Sequence, residues 1–153
     1  SRKISDLGLQ KSSAKLFPSN SIVLSTRAPI GHIAINTIEM STNQGCRGIV
    51  PKEEVLTDYL YYFLKGNVKL LNELGTGTTF KELSTKSLAS VKIPLPTFSK
   101  QENISKNLDE LHEELDAIFT NYSNKILKLE KTKKSILQKA FAGELTRNQL
   151  TTI

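Results

Sequence analysis

The sequence predicts an α+β chain: a small mixed α/β domain over residues 1–98, then a long coiled-coil helix with a short tail over residues 99–153. Three observations predict it. Short β-branched runs separated by turn residues are spread through the first hundred positions. No Gly or Pro then occurs between Pro96 and Gly143. Across that span apolar residues recur in steps of three and four, the spacing of a helix with one apolar stripe.

The strands are justified first. IVLST (22–26) and HIAIN (32–36) read as strands around the turn residues Ala28-Pro29-Ile30-Gly31. RGIVP (47–51) is a third candidate. SVKIPLP (90–96) is a fourth, closed by two prolines that suit a strand end or edge. Between them, Thr57 is placed as the cap of a helix with Leu60, Phe63, Leu64, Leu71 and Leu74 on one face, and Gly66 weakens its middle. Gly75 reads as a helix C-cap, and Ser84 as the cap of a further short turn.

The helical stripe consists of Ile104, Leu108, Leu111, Leu115, Ile118, Tyr122, Ile126, Leu129, Ile136 and Ala140. About 40 residues at 1.5 Å each make a rod of roughly 60 Å, too long for a globular core helix. Gly143 sits where a C-terminal cap belongs. The steps mirror one another about Tyr122, where two steps of four meet and locally unwind any supercoil. Leu111 faces Lys133 in this mirror, and the lysine's aliphatic stem can cover it. Charges mirror too: Glu110 matches Lys134, Glu113 matches Lys131 and Asp116 matches Lys128. Residues 101–116 hold six acids and one base, whereas residues 125–147 hold seven bases and two acids. A parallel pair would stack like charges and an antiparallel pair opposes them, so two-fold antiparallel pairing through residues 104–140 is expected. The same gradient also suits the dipole of a lone helix.

Composition narrows the function. The 38% apolar and 24% charged residues fit a soluble globular protein, and no run of about 18 apolar residues offers a membrane span. The start, SRKISDLGLQ, lacks the apolar stretch of a signal peptide. A single cysteine, Cys46, excludes an internal disulfide framework and suits a cytoplasmic setting. With His32 and His112 far apart, a structural zinc site lacks ligands. Residues 1–100 carry 13 Lys/Arg against 7 Asp/Glu and residues 101–153 carry 8 against 8, so the whole excess of +6 lies on the first segment. Such an excess can attract a polyanion or simply form a solvated basic surface.

Catalytic motifs are missing. LGTGTTFKELST (74–85) has Phe80 where a G-x-G-x-x-G fingerprint needs its third glycine, and it follows a predicted helix instead of a strand. No glycine precedes Lys81, so it is not a Walker A loop. The [DE]-x-K spacing of many nuclease sites occurs nowhere. Asp109, Glu110, Glu113, Glu114 and Asp116 lie on the rod and read as a solvated face. No metal or cofactor is expected.

Six ordered blocks then carry a resemblance: STRAPIG (25–31), STNQGCRGIVP (41–51), DYLYYFLK (58–65), GTGTTFKELS (75–84), IPLPTFSKQENI (93–104) and KKSILQKAFAGELT (133–146). In this order the chain resembles the specificity subunit of type I restriction-modification systems, over nearly its whole length. The resemblance implies a target recognition domain that reads double-stranded DNA. It also implies a long helix that pairs antiparallel with an equivalent helix and docks methyltransferase (modification) subunits. Cleavage and methyl transfer are then the work of other subunits, the restriction subunit included, and this chain is non-catalytic. Recognition domains of that family run to ~150 residues or more. About 98 precede the rod here, so the domain is expected to be N-terminally truncated, as a fragment, a split gene product or a half-size subunit.

Candidate DNA contacts follow from side-chain chemistry. Arg27 beside a Pro-Gly turn can take phosphate or the O6/N7 edge of guanine, and Arg47 either. Asn43 and Gln44 can pair with adenine N6/N7. Thr78, Thr79 and Lys81 can hold phosphate, or belong to a turn that only joins two elements. Tyr59, Tyr61 and Tyr62 read as packing residues of their helix. The alternative function is an interaction module that assembles through its coiled coil without reading DNA.

Overall fold

Alternation decides the central strand. In the computed structural model, which describes residues 3–27, 29–77 and 80–145, Ile22 and Leu24 of β1 (Ile22–Ser25) are wholly buried, and Val23 and Ser25 half-buried. That is the period-two pattern of a strand with one face on a core. β2 (Ile33–Ile35) and β3 (Cys46–Ile49) flank it in the order β2-β1-β3, both antiparallel. Ile22 stands opposite Ile35 and Ile49, so the three strands present one apolar face. Gly48, opposite Val23, lies under Phe17, whose ring would meet an added Cβ at 2.4 Å. Before the sheet comes α1 (Asp6–Gln10), capped by Ser5 Oγ accepting from Gly8 N at 3.1 Å.

Helices cover the core face. α2 (Thr57–Gly66) and α3 (Val68–Glu73) supply Leu60, Leu64 and Leu71, which join Ile22, Leu24, Ile30 and Leu83 in one buried cluster. The single helix expected across 57–74 is broken. Gly66, with little helical preference, ends α2, and Asn67 turns the chain at φ −110° while its Nδ2 donates to Phe63 O at 2.7 Å. Thr57 is not the cap. It is the first residue inside α2, Leu56 holds the cap position, and the Thr57 hydroxyl donates to Asn20 O at 3.1 Å. Ser84 does cap the five-residue α4 (Thr85–Ala89), accepting from Ser87 N at 3.0 Å.

The fourth strand is absent: residues 90–96 pair with no strand among the described residues. Pro94 and Pro96 have no N–H to give a ladder. Their carbonyls accept side-chain donors instead, Tyr59 OH at 2.8 Å and Gln101 Nε2 at 3.0 Å.

α5 (Phe98–Phe141) is one 44-residue helix, about 66 Å at the standard rise. The chain divides into two compact units, Ser1–Leu108 and Asp109–Ile153, so the first turns of α5 belong to the first unit. Gln101 anchors them there. It is fully buried, its Oε1 accepts from Leu56 N at 2.8 Å, and its Nε2 donates to Glu54 O at 2.9 Å as well as to Pro96 O. The far end closes on Gly143 at φ 74°, with Gly143 N donating to Ala140 O and Glu144 N to Lys139 O, the paired bonds of a Schellman cap. Along α5, Ile104, Leu111, Leu115, Ile118, Tyr122, Ile126, Leu129 and Ile136 are all exposed, by 40 to 68%. The stripe averages the helix's own 3.6 residues per step, so Ile104, Tyr122 and Ala140 share one azimuth and the stripe runs parallel to the axis.

Candidate nucleic-acid interface

The turn after β1 is built by its own backbone. Ser25 N donates to His32 O at 2.9 Å, Ser25 Oγ donates to Pro29 O at 2.8 Å, and His32 N donates back to Ser25 Oγ at 2.8 Å. Ile30 plugs the core, and its carbonyl accepts from Asn72 Nδ2 at 3.0 Å. Gly31 adopts φ +102° with Val68 Cγ1 only 2.5 Å from where a Cβ would sit. Most of STRAPIG therefore holds the turn in place, and Arg27 is left with its side chain 44% exposed.

Two further loops flank this turn. Buried Thr26 donates from its N to Gly45 O at 2.8 Å, and its own carbonyl accepts from Leu83 N at 2.8 Å. Thr26 thus ties the 43–45 loop on one side and Leu83 on the other. In the first, Asn43 Oδ1 accepts from Gly45 N at 3.0 Å and Asn43 O accepts from Cys46 N at 3.2 Å, an Asx-type turn that fixes the loop. In the second, Thr76 and Glu82 exchange backbone bonds at 3.0 and 2.8 Å. Gly77 at φ +118° allows Phe80 O to come within 2.4 Å of its absent Cβ. Gly75 is no left-handed cap: Leu74 ends α3 in right-handed geometry, and Gly75 is small because Ile30 Cδ1 lies 2.6 Å from its absent Cβ.

The sequence candidates fall into two recesses. Arg27, Phe80, Lys81 and Glu82 line one of about 320 Å³. There Arg27 Nε donates to Glu82 Oε1 at 3.0 Å and their backbones also pair. Asn43, Gln44 and Arg47 line a larger recess of about 770 Å³ together with Lys15 and Phe17. Lys15 and Arg47 are its charged residues, no carboxylate lines it, and neither has an ion-pair partner among the described residues. Thr78 and Thr79 lie outside the described residues. Lys15, Phe80 and Glu82 are absent from the sequence-derived set, because nothing local marks a lone lysine or glutamate as lying against a distant arginine.

The tyrosines pack. Tyr59 is buried, and Tyr61 meets Tyr62 edge-on at 5.2 Å with Lys65 Nζ 5.7 Å from the Tyr61 ring. Among the described residues there is no group of three His, Cys, Asp or Glu able to hold a metal, and no helix is long and apolar enough to cross a membrane. The carboxylates Asp109, Glu110, Glu113, Glu114 and Asp116 are all exposed on α5.

Comparison with known proteins gives a consistent set of matches. The family model described as "Type I restriction modification DNA specificity domain" matches residues 1–139. The specificity subunit of type I restriction enzyme MjaIX from Methanocaldococcus jannaschii is 34% identical over 149 residues, 96% of this chain and 32% of that protein. The EcoR124I/EcoR124II specificity subunit from Escherichia coli is 30% identical over 113 residues, 70% of this chain and 28% of that protein. Among solved structures, a chain from a study of complex assembly and conformational transition of the type I R-M system aligns with a TM-score of 0.75. Its identity is 27%, over 85% of this chain and 32% of that one. The HsdS subunit from Thermoanaerobacter tengcongensis aligns with a TM-score of 0.65 and 25% identity, over 85% of this chain and 31% of that one. The chain thus spans about a third of the length of the relatives it matches.

Proposed function

The chain belongs to the type I restriction modification DNA specificity domain family, and from that premise we propose that it is a non-catalytic, sequence-specific DNA-binding element of a cytoplasmic restriction-modification system. The observation that carries this reading is the convergence on Thr26 of the turn after β1, the 43–45 loop and the segment that ends at Leu83. Arg27 and Lys81 line one recess there and Gln44 and Arg47 line another with Lys15, all on the segment that holds the chain's whole positive excess. Arg, Lys and Gln side chains presented in this way suit duplex DNA, in which phosphates position and base edges specify. Residues 1–98 are proposed as the recognition domain and 99–153 as the pairing and spacer region.

The helix is the proposed assembly surface. Its exposed stripe requires a partner, and the mirror of its steps and charges about Tyr122 favours an antiparallel equivalent, either a second copy or a matching half-subunit. A straight stripe lets two such helices lie side by side without supercoiling. Methyltransferase and restriction subunits supply the chemistry and are positioned by the assembly.

Salt dependence tests the DNA-binding reading. With Lys15, Arg47 and Lys81 each on one phosphate, log affinity for duplex DNA is expected to fall with log salt at a slope of about −2.7, and Lys81→Ala to flatten it by about 0.9. A flat response, or no binding at low salt, would leave the helix alone as the functional element.

A further inference from the structure

We infer that Arg27 and Glu82 act as one guanine-reading couple, with Glu82 a positioning residue that aims the Arg27 guanidinium at a base edge. This rests on the DNA-binding reading above. It goes beyond that reading by assigning a base and by giving a role to a carboxylate that opposes DNA binding on charge alone.

The ion pair is not needed to hold its loop. Backbone bonds already join Thr76 to Glu82 in both directions and Leu83 N to Thr26 O, and Leu83 is 1% exposed in the core. What the contact between Arg27 Nε and Glu82 Oε1 at 3.0 Å fixes is the plane of the guanidinium. It uses the side edge of that group, so the end edge, with two Nη atoms and their hydrogens, stays available. That edge matches the two adjacent acceptors of guanine, O6 and N7, as a bidentate pair. Adenine presents N7 beside an N6 donor, and an N–H donor facing it goes unpaired. A guanidinium held in place before binding also loses less side-chain freedom on contact.

The surroundings fit a contact with a base, not only with phosphate. Arg27, Lys81 and Glu82 together carry a net +1, so Glu82 halves the positive charge this recess would otherwise show a backbone. Among the described residues the Lys15 and Arg47 recess has two cations and no lining acid, which makes it the better phosphate seat. Phe80, 77% exposed beside Arg27, adds an apolar surface of the kind that meets thymine methyls or sugars.

The couple predicts effects of opposite sign that a purely structural contact does not produce. The full chain is taken through selection on a randomised duplex library, then titrated on the selected duplex, on single G·C to A·T replacements of it, and on an unrelated duplex. Arg27→Lys is expected to lose the preference at one G·C pair, by about 5- to 150-fold, while keeping its affinity for unrelated DNA. Glu82→Ala is expected to lower preference at that same pair yet raise affinity for the unrelated duplex. Glu82→Gln, which keeps an acceptor for Nε, restores most of the preference. Equal loss on all duplexes in Glu82→Ala, or an unchanged base preference in Arg27→Lys, overturns the couple while leaving DNA binding intact. Absence of salt-dependent binding by the parent chain overturns the DNA-binding reading, and the couple with it.

Discussion

Replacing Gln101 with Leu removes three hydrogen bonds and almost no volume. Gln101 is fully buried and bonds Leu56 N at 2.8 Å, Glu54 O at 2.9 Å and Pro96 O at 3.0 Å. Each such bond contributes a net of about 1 kcal/mol, and a buried group deprived of its partner costs about 1–3 kcal/mol. Leucine fills the space that water would need to replace the amide, and its own apolar burial offsets part of the loss. The expected destabilisation is therefore about 2–4 kcal/mol, a large part of the ~5–15 kcal/mol that holds a typical domain folded. For a unit of roughly 100 residues this lowers Tm by about 10–25 °C. The assay is urea unfolding followed by tyrosine fluorescence, because Tyr59, Tyr61 and Tyr62 all lie on α2 and the chain has no Trp. Far-UV circular dichroism is the weaker probe, being dominated by the 44-residue α5. Gln138→Ala, at an exposed position of the same helix, should change little and serves as the control. A loss below about 0.5 kcal/mol in Gln101→Leu would refute the anchoring role and the reasoning from its bonds.

Two further outcomes follow from the same geometry. Gly31→Ala is expected to cost about 1–3 kcal/mol, since it forces a Cβ onto φ +102° and against Val68 Cγ1 at 2.5 Å, and thermal melts read this directly. Glu113→Lys is expected to weaken self-association by about 0.5 kcal/mol per exposed pair, and adding Lys131→Glu to restore it. Sedimentation equilibrium measures both; restoration failing, or a monomer at every concentration, would remove the antiparallel register.

The long helix and the three strands were legible because their signals are local. Ile22, Val23 and Leu24 form a short β-branched, apolar run, and turn residues bracket each such run. From Pro96 to Gly143 no residue breaks the helical period, and Gly143 ends the helix as its type suggests. The failures are non-local. SVKIPLP has the composition of a strand, but a strand exists only with a partner, and Tyr59 and Gln101 take its carbonyls instead. Gln101 looks like a surface residue on any helical wheel, and only the loop at Glu54–Leu56 makes it a core residue. For the candidate interface the sequence names side chains but not their arrangement. Arg27, Asn43, Gln44, Arg47 and Lys81 could be picked by residue type, but their division between two recesses needed the fold.

On the proposed DNA-binding reading, that division suggests how a target can change while the fold is kept. Ser25, Thr26, Ile30 and Gly31 hold the first loop through backbone bonds and core contacts, Asn43 fixes the second, and Thr76 with Glu82 closes the third. Arg27, Gln44 and Lys81 hang from these loops, and Arg47 from β3, as exposed side chains. Exposed positions of this kind usually tolerate substitution within about 0.5 kcal/mol. A single contact to a base edge, by contrast, discriminates by about 1–3 kcal/mol. On that reading, specificity can therefore drift at these side chains by several times the energy that stability registers. Glu82 is the exception: its backbone closes the third loop while its carboxylate aims Arg27, so it stands where the two requirements meet.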